Sequence, residues 1–505
     1  MKLKFQSLAP LKRVQGDKYL GNLYSNCYND NIFLIMWQER LKTGDMRKIV
    51  RKIFVCFLVF VLNFSCFPAY SKPKKVCAGV SDYRLTYVNI DWWDNFDDPY
   101  LKEYVFKTIS HNHDLKIATL RTKEYYQNMK ITFANELPTL SFMANYVRIR
   151  TPGFDFNGLN LDNTSTNVFS LPLIASYEAD IFLKNHDKTK SAKKEAEAVR
   201  YQEKSSYISL ASAVGTTYIN ILRLDKTIKL QEEIVKVRKR VWELTEDRYK
   251  LGLASTFDTT ARNQQHTIAI INLNDLKKQR AQLLHQLAVL TGESPSCACS
   301  FVRGDLDSFE YKKEIPAEIS SKVVINRPDL METEAKLKKA KIDIRVARKE
   351  FLPTIPITGI AGFTALKLDR LFDWDRFLAL VAASITQNLF MGGRKIANLK
   401  KQKIIYQELF EEYKQRDLQA IQEINDSLCA IKYDTKTDIA NNEKVELEKY
   451  NYGLINLRYE SGITSDFDRI QFLENLILLE KEKADSKTRR LIDYLSLYKA
   501  AGGAL

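Results

Sequence analysis

The chain states one motif twice, and this limits its architecture more than any bulk property does. Arg248-Tyr249-Lys250-Leu251-Gly252-Leu253-Ala254-Ser255-Thr256-Phe257-Asp258 returns as Arg458-Tyr459-Glu460-Ser461-Gly462-Ile463-Thr464-Ser465-Asp466-Phe467-Asp468, with six of eleven positions identical at an offset of 210 residues. Asp114-Leu115 followed by Leu137-Pro138-Thr139 returns as Asp329-Leu330 followed by Leu352-Pro353-Thr354, at an offset of 215. Two matches in the same order describe two halves of about 200 residues each, too long a period for a solenoid repeat. The expected body is pseudo-twofold.

Proline placement and hydrophobic spacing say what each half contains. No proline occurs from 173 to 294 or after 356. Both stretches are rich in Leu, Ile, Ala, Glu, Lys and Gln, mostly good helix formers. Leu230, Ile234, Val237, Val241 and Leu244 step by 4, 3, 4 and 3, the spacing of a coiled-coil seam, and Leu276, Leu283, Leu287 and Leu290 continue the style. Helices are expected over 186–250, 256–292, 394–459 and 466–501, with shorter ones over 100–136 and 318–351. A helix of ~60 residues is ~90 Å long. It does not fold into a compact globule.

Ahead of each long helix the period changes to two. Leu140, Phe142, Ala144 and Tyr146 alternate with Ser141 and Asn145. Phe169, Leu171, Leu173, Ala175, Tyr177, Ala179 and Ile181 make an unbroken apolar face opposite Ser170, Ser176 and Glu178. These are strands. The second half repeats them over Thr354–Thr364 and Phe377–Phe390, with Gly153–Thr166 and Lys367–Arg376 as connecting loops. Strands of about 12 to 14 residues cross a bilayer when tilted. Four strands leave two open edges, which lipid does not tolerate, so a membrane role requires several chains to share one barrel. The competing reading is two soluble β-hairpins packed on helices.

Met46-Arg47-Lys48-Ile49-Val50-Arg51-Lys52 is a charged run, and Ile53–Phe64 is an apolar run of twelve, too short for an ordinary transmembrane helix. Ala69-Tyr70-Ser71 fits the small-x-small rule for cleavage. The expectation is a secretory signal over 46–71, preceded by an upstream extension over 1–45 from a mis-assigned start. A terminal membrane anchor is the alternative. Cys66 as a lipidated N-terminus is a third reading, which the bulky Phe64 before it disfavours.

The net charge of +15 raises a nucleic-acid reading, but residues 1–71 hold 11 Lys+Arg against 4 Asp+Glu, leaving 66 against 58 for the remainder. That balance is modest and spread over mixed-charge helices. There is no arginine-rich stripe, Walker-type phosphate loop or Gly-rich strand-to-helix turn, so no nucleic-acid partner is expected. Beyond the leader, Cys77, Cys297, Cys299 and Cys429 remain, and residues at i and i+2 rarely reach disulfide geometry. His111 and His113 lack further ligands nearby in a chain with five His, so neither a metal nor a cofactor is expected, and no catalytic constellation marks an enzyme.

Six segments, in order, resemble the TolC family of outer-membrane efflux proteins. They are Trp92-Trp93-x-x-Phe96-x-Asp98-Pro99-x-Leu101, Ser176-Tyr177-Glu178-Ala179-Asp180-Ile181-Phe182, Asn326-Arg327-Pro328-Asp329-Leu330, Phe351-Leu352-Pro353-Thr354-Ile355, Asn388-Leu389-Phe390-Met391-Gly392-Gly393-Arg394 and Tyr498-Lys499-Ala500-Ala501-Gly502-Gly503. The resemblance implies a mostly α fold with a transmembrane β-barrel contribution. Two structural repeats give long coiled-coil helices and four strands per chain. Three chains share a twelve-stranded outer-membrane barrel, continued by an α-helical barrel through the periplasm. It implies a homotrimer set in outer-membrane lipid, with a periplasmic adaptor protein and an inner-membrane pump as partners. The chain is then the passive exit duct of a tripartite efflux or type I secretion system. A membrane-anchored coiled-coil scaffold without channel activity is the alternative. The halves fall at 100–295 (β-hairpin 137–181) and 318–505 (β-hairpin 353–390), with an N-terminal segment over 72–99 and a linker over 296–317.

Function is expected at the repeated motif. Gly252 and Gly462 are placed to end helices as left-handed C′ glycines, and Ser255 and Ser465 to cap the helices that follow. In the family these turns form the periplasmic tip, so Arg248, Gly252, Ser255, Asp258, Arg458, Gly462 and Ser465 become adaptor-docking residues. Simple turn-making, and surface ion pairs for the two arginines, are the plainer readings. The resemblance also places Asp468 at a closed aperture, where three carboxylates would attract cations. Asp468 equally suits helix-start electrostatics. Gln471 stands where the family carries a second acid, the family's basic residue near Thr464 is absent, and Asp466 is a further candidate at the gate.

Overall fold

The structure, a computed structural model, describes residues 86–504 apart from 152–153, 157–158, 162–163 and 316–318. The leader, Cys66 and Cys77 lie outside the described residues. The chain forms two units, a sheet unit of 140–175 and 358–382 and a helical unit holding the other described residues.

The strands are β1 (Thr139–Phe142), β2 (Asn145–Thr151), β3 (Phe154–Phe156), β4 (Leu159–Leu161), β5 (Thr164–Glu178), β6 (Pro356–Ala365) and β7 (Phe377–Ala383). One sheet runs β1-β5-β6-β7, with β2 also on β5, while β3 and β4 pair with each other. β2 runs antiparallel to β5 from Asn145↔Ser170 to Thr151↔Thr164. Between β1 and β2 the strand breaks at Met143-Ala144. Met143 N–H still donates to the Pro172 carbonyl at 3.0 Å, but Pro172 has no N–H to return the bond.

Two expectations need correction here. Gly153–Thr166 is not a plain connecting loop, because β3, β4 and the start of β5 lie in it. Its Gly, Asn and Asp content masks pairing led by Thr164, Thr166 and Val168. β7 stops at Ala383, and beyond it the pairing continues through a Ser384 N–H bond to the Pro356 carbonyl at 3.1 Å and an isolated Thr354↔Thr386 bridge. Gly362 is obligatory where β6 meets β5, since a Cβ there would run into the Leu171 carbonyl oxygen. Phe363, Ala365 and Leu371 form a small core with Phe169, Leu171 and Phe372. Leu140, Phe142, Leu378, Leu380 and Val381 are exposed, and β1 and β7 are open edges of the sheet path.

The helices are α1 (Pro99–His111), α2 (His113–Ala134), α3 (Lys184–Lys250), α4 (Thr256–Thr291), α5 (Ser321–Ile325), α6 (Pro328–Lys349), α7 (Arg394–Glu460) and α8 (Asp466–Ala500). α3 and α7 have 67 residues each, so each runs ~100 Å. The spans expected as single helices over 100–136 and 318–351 are each divided. Asn112 divides the first: its side chain caps α2 by accepting from Leu115 N–H at 3.1 Å and donates to the Leu290 carbonyl at 2.9 Å. Pro328 opens α6 and disfavours a helical conformation at the residue before it. α3 packs against α2, α4, α6 and α8, and α7 packs against α6 and α8.

An aromatic core ties the two halves of the helical unit. Trp92 stacks on Tyr498 at 4.2 Å, and Trp93, Tyr218, Phe309 and Leu495 are fully buried around them. The Asp98 carboxylate caps α1 through Tyr100 N–H and Leu101 N–H and accepts the Tyr218 hydroxyl at 2.9 Å. Arg327 is buried and donates to Asp329, Glu423 and the Ala500 carbonyl. The coiled-coil seam is real: Leu230, Ile234 and Val237 are buried with Ala269, Ile470 and Ile477, while Val241 and Leu244 pack beside them.

Candidate functional site: the paired helix-hairpin turns

Both copies of the repeated motif close a helical hairpin in the same way. At the end of α3, Gly252 takes φ +75° and its N–H donates to the Tyr249 carbonyl at 2.9 Å. Leu253 N–H donates to the Arg248 carbonyl at 2.8 Å. At the end of α7, Gly462 takes φ +72°, its N–H reaches the Tyr459 carbonyl at 2.9 Å, and Ile463 N–H reaches the Arg458 carbonyl at 2.9 Å. This pair of bonds is the Schellman arrangement. It uses the backbone of the repeated Arg-Tyr pair and needs glycine for the left-handed φ. Spacing, not side-chain chemistry, accounts for this part of the motif.

The following serine starts the next helix. Ser255 Oγ accepts from Asp258 N–H at 3.1 Å, and the Asp258 carboxylate accepts from Ser255 N–H at 3.0 Å, a complete capping box. The Ser255 hydroxyl and backbone N–H hold the Asp258 carboxyl below its ordinary range. Ser465 Oγ accepts from Asp468 N–H at 3.2 Å and donates to the Asp468 carboxylate at 2.6 Å. Asp468 is therefore engaged in its own helix cap while its side chain stays exposed.

The other candidate residues separate into two groups. Asp466 is held: Arg469 of its own helix donates to it at 2.6 Å, and Arg240 of α3 stands 3.6 Å away. Arg469 also lies over the Tyr459 ring at 4.7 Å, and Arg262 lies 5.3 Å from the Phe467 ring centroid. Gln471, Arg248 and Arg458 are exposed. Arg240, Arg262 and Arg469 escaped the sequence reading because all three lie outside the eleven-residue repeats. Further up the seam, Arg238 pairs with Glu474 at 2.8 Å, and Lys481 donates to Gln231, which in turn donates to the Ala269 carbonyl at 2.9 Å. Apolar groups cover the outside of the turns: Leu251, Leu253, Phe257 and Ile463 are all well exposed.

A second construction stands where β5 leads into α3. Leu183, at φ +55°, is the one non-glycine residue with positive φ among the described residues, and its side chain cannot cap α3. Asp180 caps instead, accepting Lys184 N–H at 2.6 Å and His186 N–H at 2.9 Å. Nearby, buried Asp187 holds Lys349 at 2.7 Å and Arg345 at 3.3 Å, binding α3 to α6. Among the described residues, no group of three or more His, Cys, Asp or Glu is placed to hold a metal ion. No described helix is long and apolar enough to cross a membrane.

An open-edged apolar sheet joined to ~100 Å helices, themselves closed in capped turns, defines a class of membrane-duct subunits. Comparison with known proteins makes the class specific. The chain belongs to the outer membrane efflux protein family, whose model matches residues 106–293 and 319–503. The probable efflux pump outer membrane protein TtgC of Pseudomonas putida is 26% identical over 442 residues, covering 86% of this chain and 88% of its own length. The cation efflux system protein CusC of Escherichia coli O157:H7 is 25% identical over 464 residues, covering 89% and 97%. Among solved structures, the CmeC outer membrane channel of Campylobacter jejuni matches with a TM-score of 0.75 at 23% identity, over 83% of this chain and 89% of that one. The open-state MtrE outer membrane channel of Neisseria gonorrhoeae matches at 0.71 and 25%, over 82% and 91%.

The chain is thus an outer-membrane efflux channel protein, located in the outer membrane with its helical part in the periplasm. The relatives named here are transport proteins, and none of them supports the scaffold alternative.

Proposed function

We propose that three copies of this chain form the passive exit duct of a tripartite export system and carry out no chemistry themselves. The observation that carries this reading is the sheet. Its path ends at β1 and β7 with apolar side chains exposed, an arrangement that lipid accepts only in a closed barrel. Three such sheets would supply twelve strand positions around one barrel. The domain divisions set out from the sequence, including cleavage after Ser71, belong to the same reading.

At the far ends of the helices, the turns at Arg248–Asp258 and Arg458–Asp468 would meet a periplasmic adaptor, which in turn couples the duct to an inner-membrane pump. The exposed Leu251, Leu253, Phe257 and Ile463 supply apolar surface for that docking. Asp468 would face the axis with Gln471, so that three carboxylates form a cation-binding constriction. Asp466 has the smaller role, because Arg469 and Arg240 already neutralise it. Adaptor docking would exchange contacts of the α3–α8 seam, among them Arg238–Glu474, for intermolecular ones and so widen the aperture.

The molecular mass of the detergent-solubilised protein, measured by light scattering, tests the assembly. Three mature chains per particle is the expected result. A monomer that alkali washes from membranes would return the scaffold reading. For the tips, Leu253→Asp with Ile463→Asp should abolish adaptor cross-linking while leaving the trimer intact.

A further inference from the structure

We infer that the starts of the two long helices form a basic collar that binds anionic phospholipid in the leaflet facing the periplasm. Residues 394–407 of α7 hold five cations, Arg394, Lys395, Lys400, Lys401 and Lys403, and the first carboxylate after them is Glu408. Lys395 is half-buried and the other four are exposed. Arg394 reaches the Met391 sulfur at 3.7 Å, and among the described residues none of the five makes an ion pair. Further along α7 the pattern differs: Lys414 pairs with Glu411 at 2.9 Å and Lys449 with Glu446 at 3.0 Å.

The start of α3 has the same chemistry. Lys188, Lys190 and Lys193 are exposed and make no ion pair among the described residues. Asp187 is the one carboxylate between positions 184 and 194, and Lys349 and Arg345 of α6 already hold it.

Both segments begin where the chain leaves the membrane. Ala179 N–H donates to the Ile355 carbonyl at 2.9 Å, five residues before Lys184, and the Thr354↔Thr386 bridge stands eight residues before Arg394. Strand pairing therefore reaches almost to each helix. With the strands in the outer membrane and the helices in the periplasm, these helix starts stand at the inner edge of the bilayer. Just ahead of Arg394 come Leu389 and Phe390, 92% and 88% exposed, the two most exposed large apolar side chains described. Ile181 and Leu183 are exposed in the same way ahead of Lys184. Apolar groups followed at once by cations suit the boundary between acyl chains and headgroups.

An anionic surface attracts basic residues within about a Debye length, ~8 Å at physiological ionic strength, or roughly the first five residues of a helix standing on it. Helical side chains lean toward the N-terminus, which brings Lys400 and Lys401 back toward the same surface. At about 100° per residue the five cations point all round α7, so a helix covering one side leaves others free. Glu350 is the one carboxylate lining the cavity of about 510 Å³ beside Arg394 and Lys395; it accepts from Asn398 at 3.0 Å and forms no ion pair with either. The inference rests on the outer-membrane location and not on the trimer, the adaptor or the gate.

The test is native mass spectrometry of the full detergent-solubilised protein, titrated with dioleoyl phosphatidylglycerol and with zwitterionic dioleoyl phosphatidylcholine. Inorganic phosphate serves as competitor. The expected result is preferential retention of the anionic lipid, weakened roughly fivefold for each charge removed in R394S/K395S. K432S/K436S removes the same charge from exposed positions ~55 Å further along α7 and should leave retention unchanged. R394K/K395R keeps the charge, should retain most of the binding and controls for folding. Equal retention of the two lipids by the unaltered protein, or unchanged retention by R394S/K395S, would overturn the inference. An equal loss in K432S/K436S would show a general effect of net charge and overturn it too. Displacement of the lipid by inorganic phosphate at matched concentration would show a free-anion site instead, with the same consequence.

Discussion

α3 and α7 are counterparts in the two halves and have the same length of 67 residues, yet α3 buries 25 of them and α7 only five. α3 is a core helix: Tyr207, Val214, Tyr218, Ile219 and Ile221 are fully buried. α7 leaves Leu418, Ile421, Ile439, Leu447, Tyr450, Leu454 and Leu457 exposed. Residues 447, 450, 454 and 457 repeat the 3-4-3 spacing of a seam, and among the described residues they stay exposed. The difference shows how a duplicated sequence has been divided between two tasks. One copy holds the subunit together, and the other presents a face that wants other helices. A surface of that size on a soluble monomer would be an association site.

The comparison can be broken most directly by truncation in both helices. Leu222→Ala in α3 should cost about 2–5 kcal/mol of subunit stability, because it leaves a cavity in the buried core. Leu447→Ala in α7 should leave the dissociated subunit unchanged but lower the midpoint at which the proposed trimer dissociates. If both substitutions act alike on the dissociated subunit, the division of labour proposed for the two helices is wrong.

A pH series sharpens the picture of the side of α7 that packs on α8. Asp493 of α8 meets Asp434 of α7, and its Oδ2 is buried without a partner. Burial first, and then the neighbouring carboxyl, push Asp493 up to about 7, against the pull of Arg489. A folded pKa above the unfolded one means that the folded state holds the proton. The stability this gives is complete below the ordinary carboxylate range and lost as pH rises through about 7. Thermal midpoints should therefore fall between pH 5 and 8, and Asp493→Asn should flatten that slope, a change of several degrees in a body this size. A variant with an unchanged slope would remove the pair from the account.

Smaller effects test the equivalence of the two turns. Gly252→Ala and Gly462→Ala should each cost about 1–2 kcal/mol locally, since both glycines sit in left-handed backbone with open space around them. Hydrogen exchange at the amides of Leu253 and Ile463 would read this. Ser255→Ala and Ser465→Ala should cost about 1 kcal/mol each. Ser255 should cost slightly more, because its box has the reciprocal Asp258 bond.

Much of this was legible from pattern alone. The long helices and their seam were readable because the 3-4 spacing is continuous and proline is absent, and the turn glycines because the repeat isolates them. The legible features were local. The break at Asn112 was hidden because its cause is a carbonyl at Leu290, 178 residues away. The extension of the first β-hairpin was hidden because loop-forming residues there pair across strands. At the turns, the sequence singled out Arg248 and Arg458 as side chains, whereas their carbonyls close the helices. The arginines that grip Asp466 and the tip aromatic rings, Arg240, Arg262 and Arg469, could not be found from repetition, since they lie outside the repeat. The burial contrast between α3 and α7 was likewise invisible, because both helices are similarly rich in good helix formers.

The central claim is that this chain is one part of a shared duct, and single-channel conductance tests it most directly. Detergent-extracted protein would be inserted into a planar bilayer and divalent cations titrated from the helix side. The account predicts a small, cation-selective current blocked by divalent cations, with the block relieved in Asp468→Ala. Silence from protein shown to be folded and trimeric, persisting in Asp468→Ala, would contradict it.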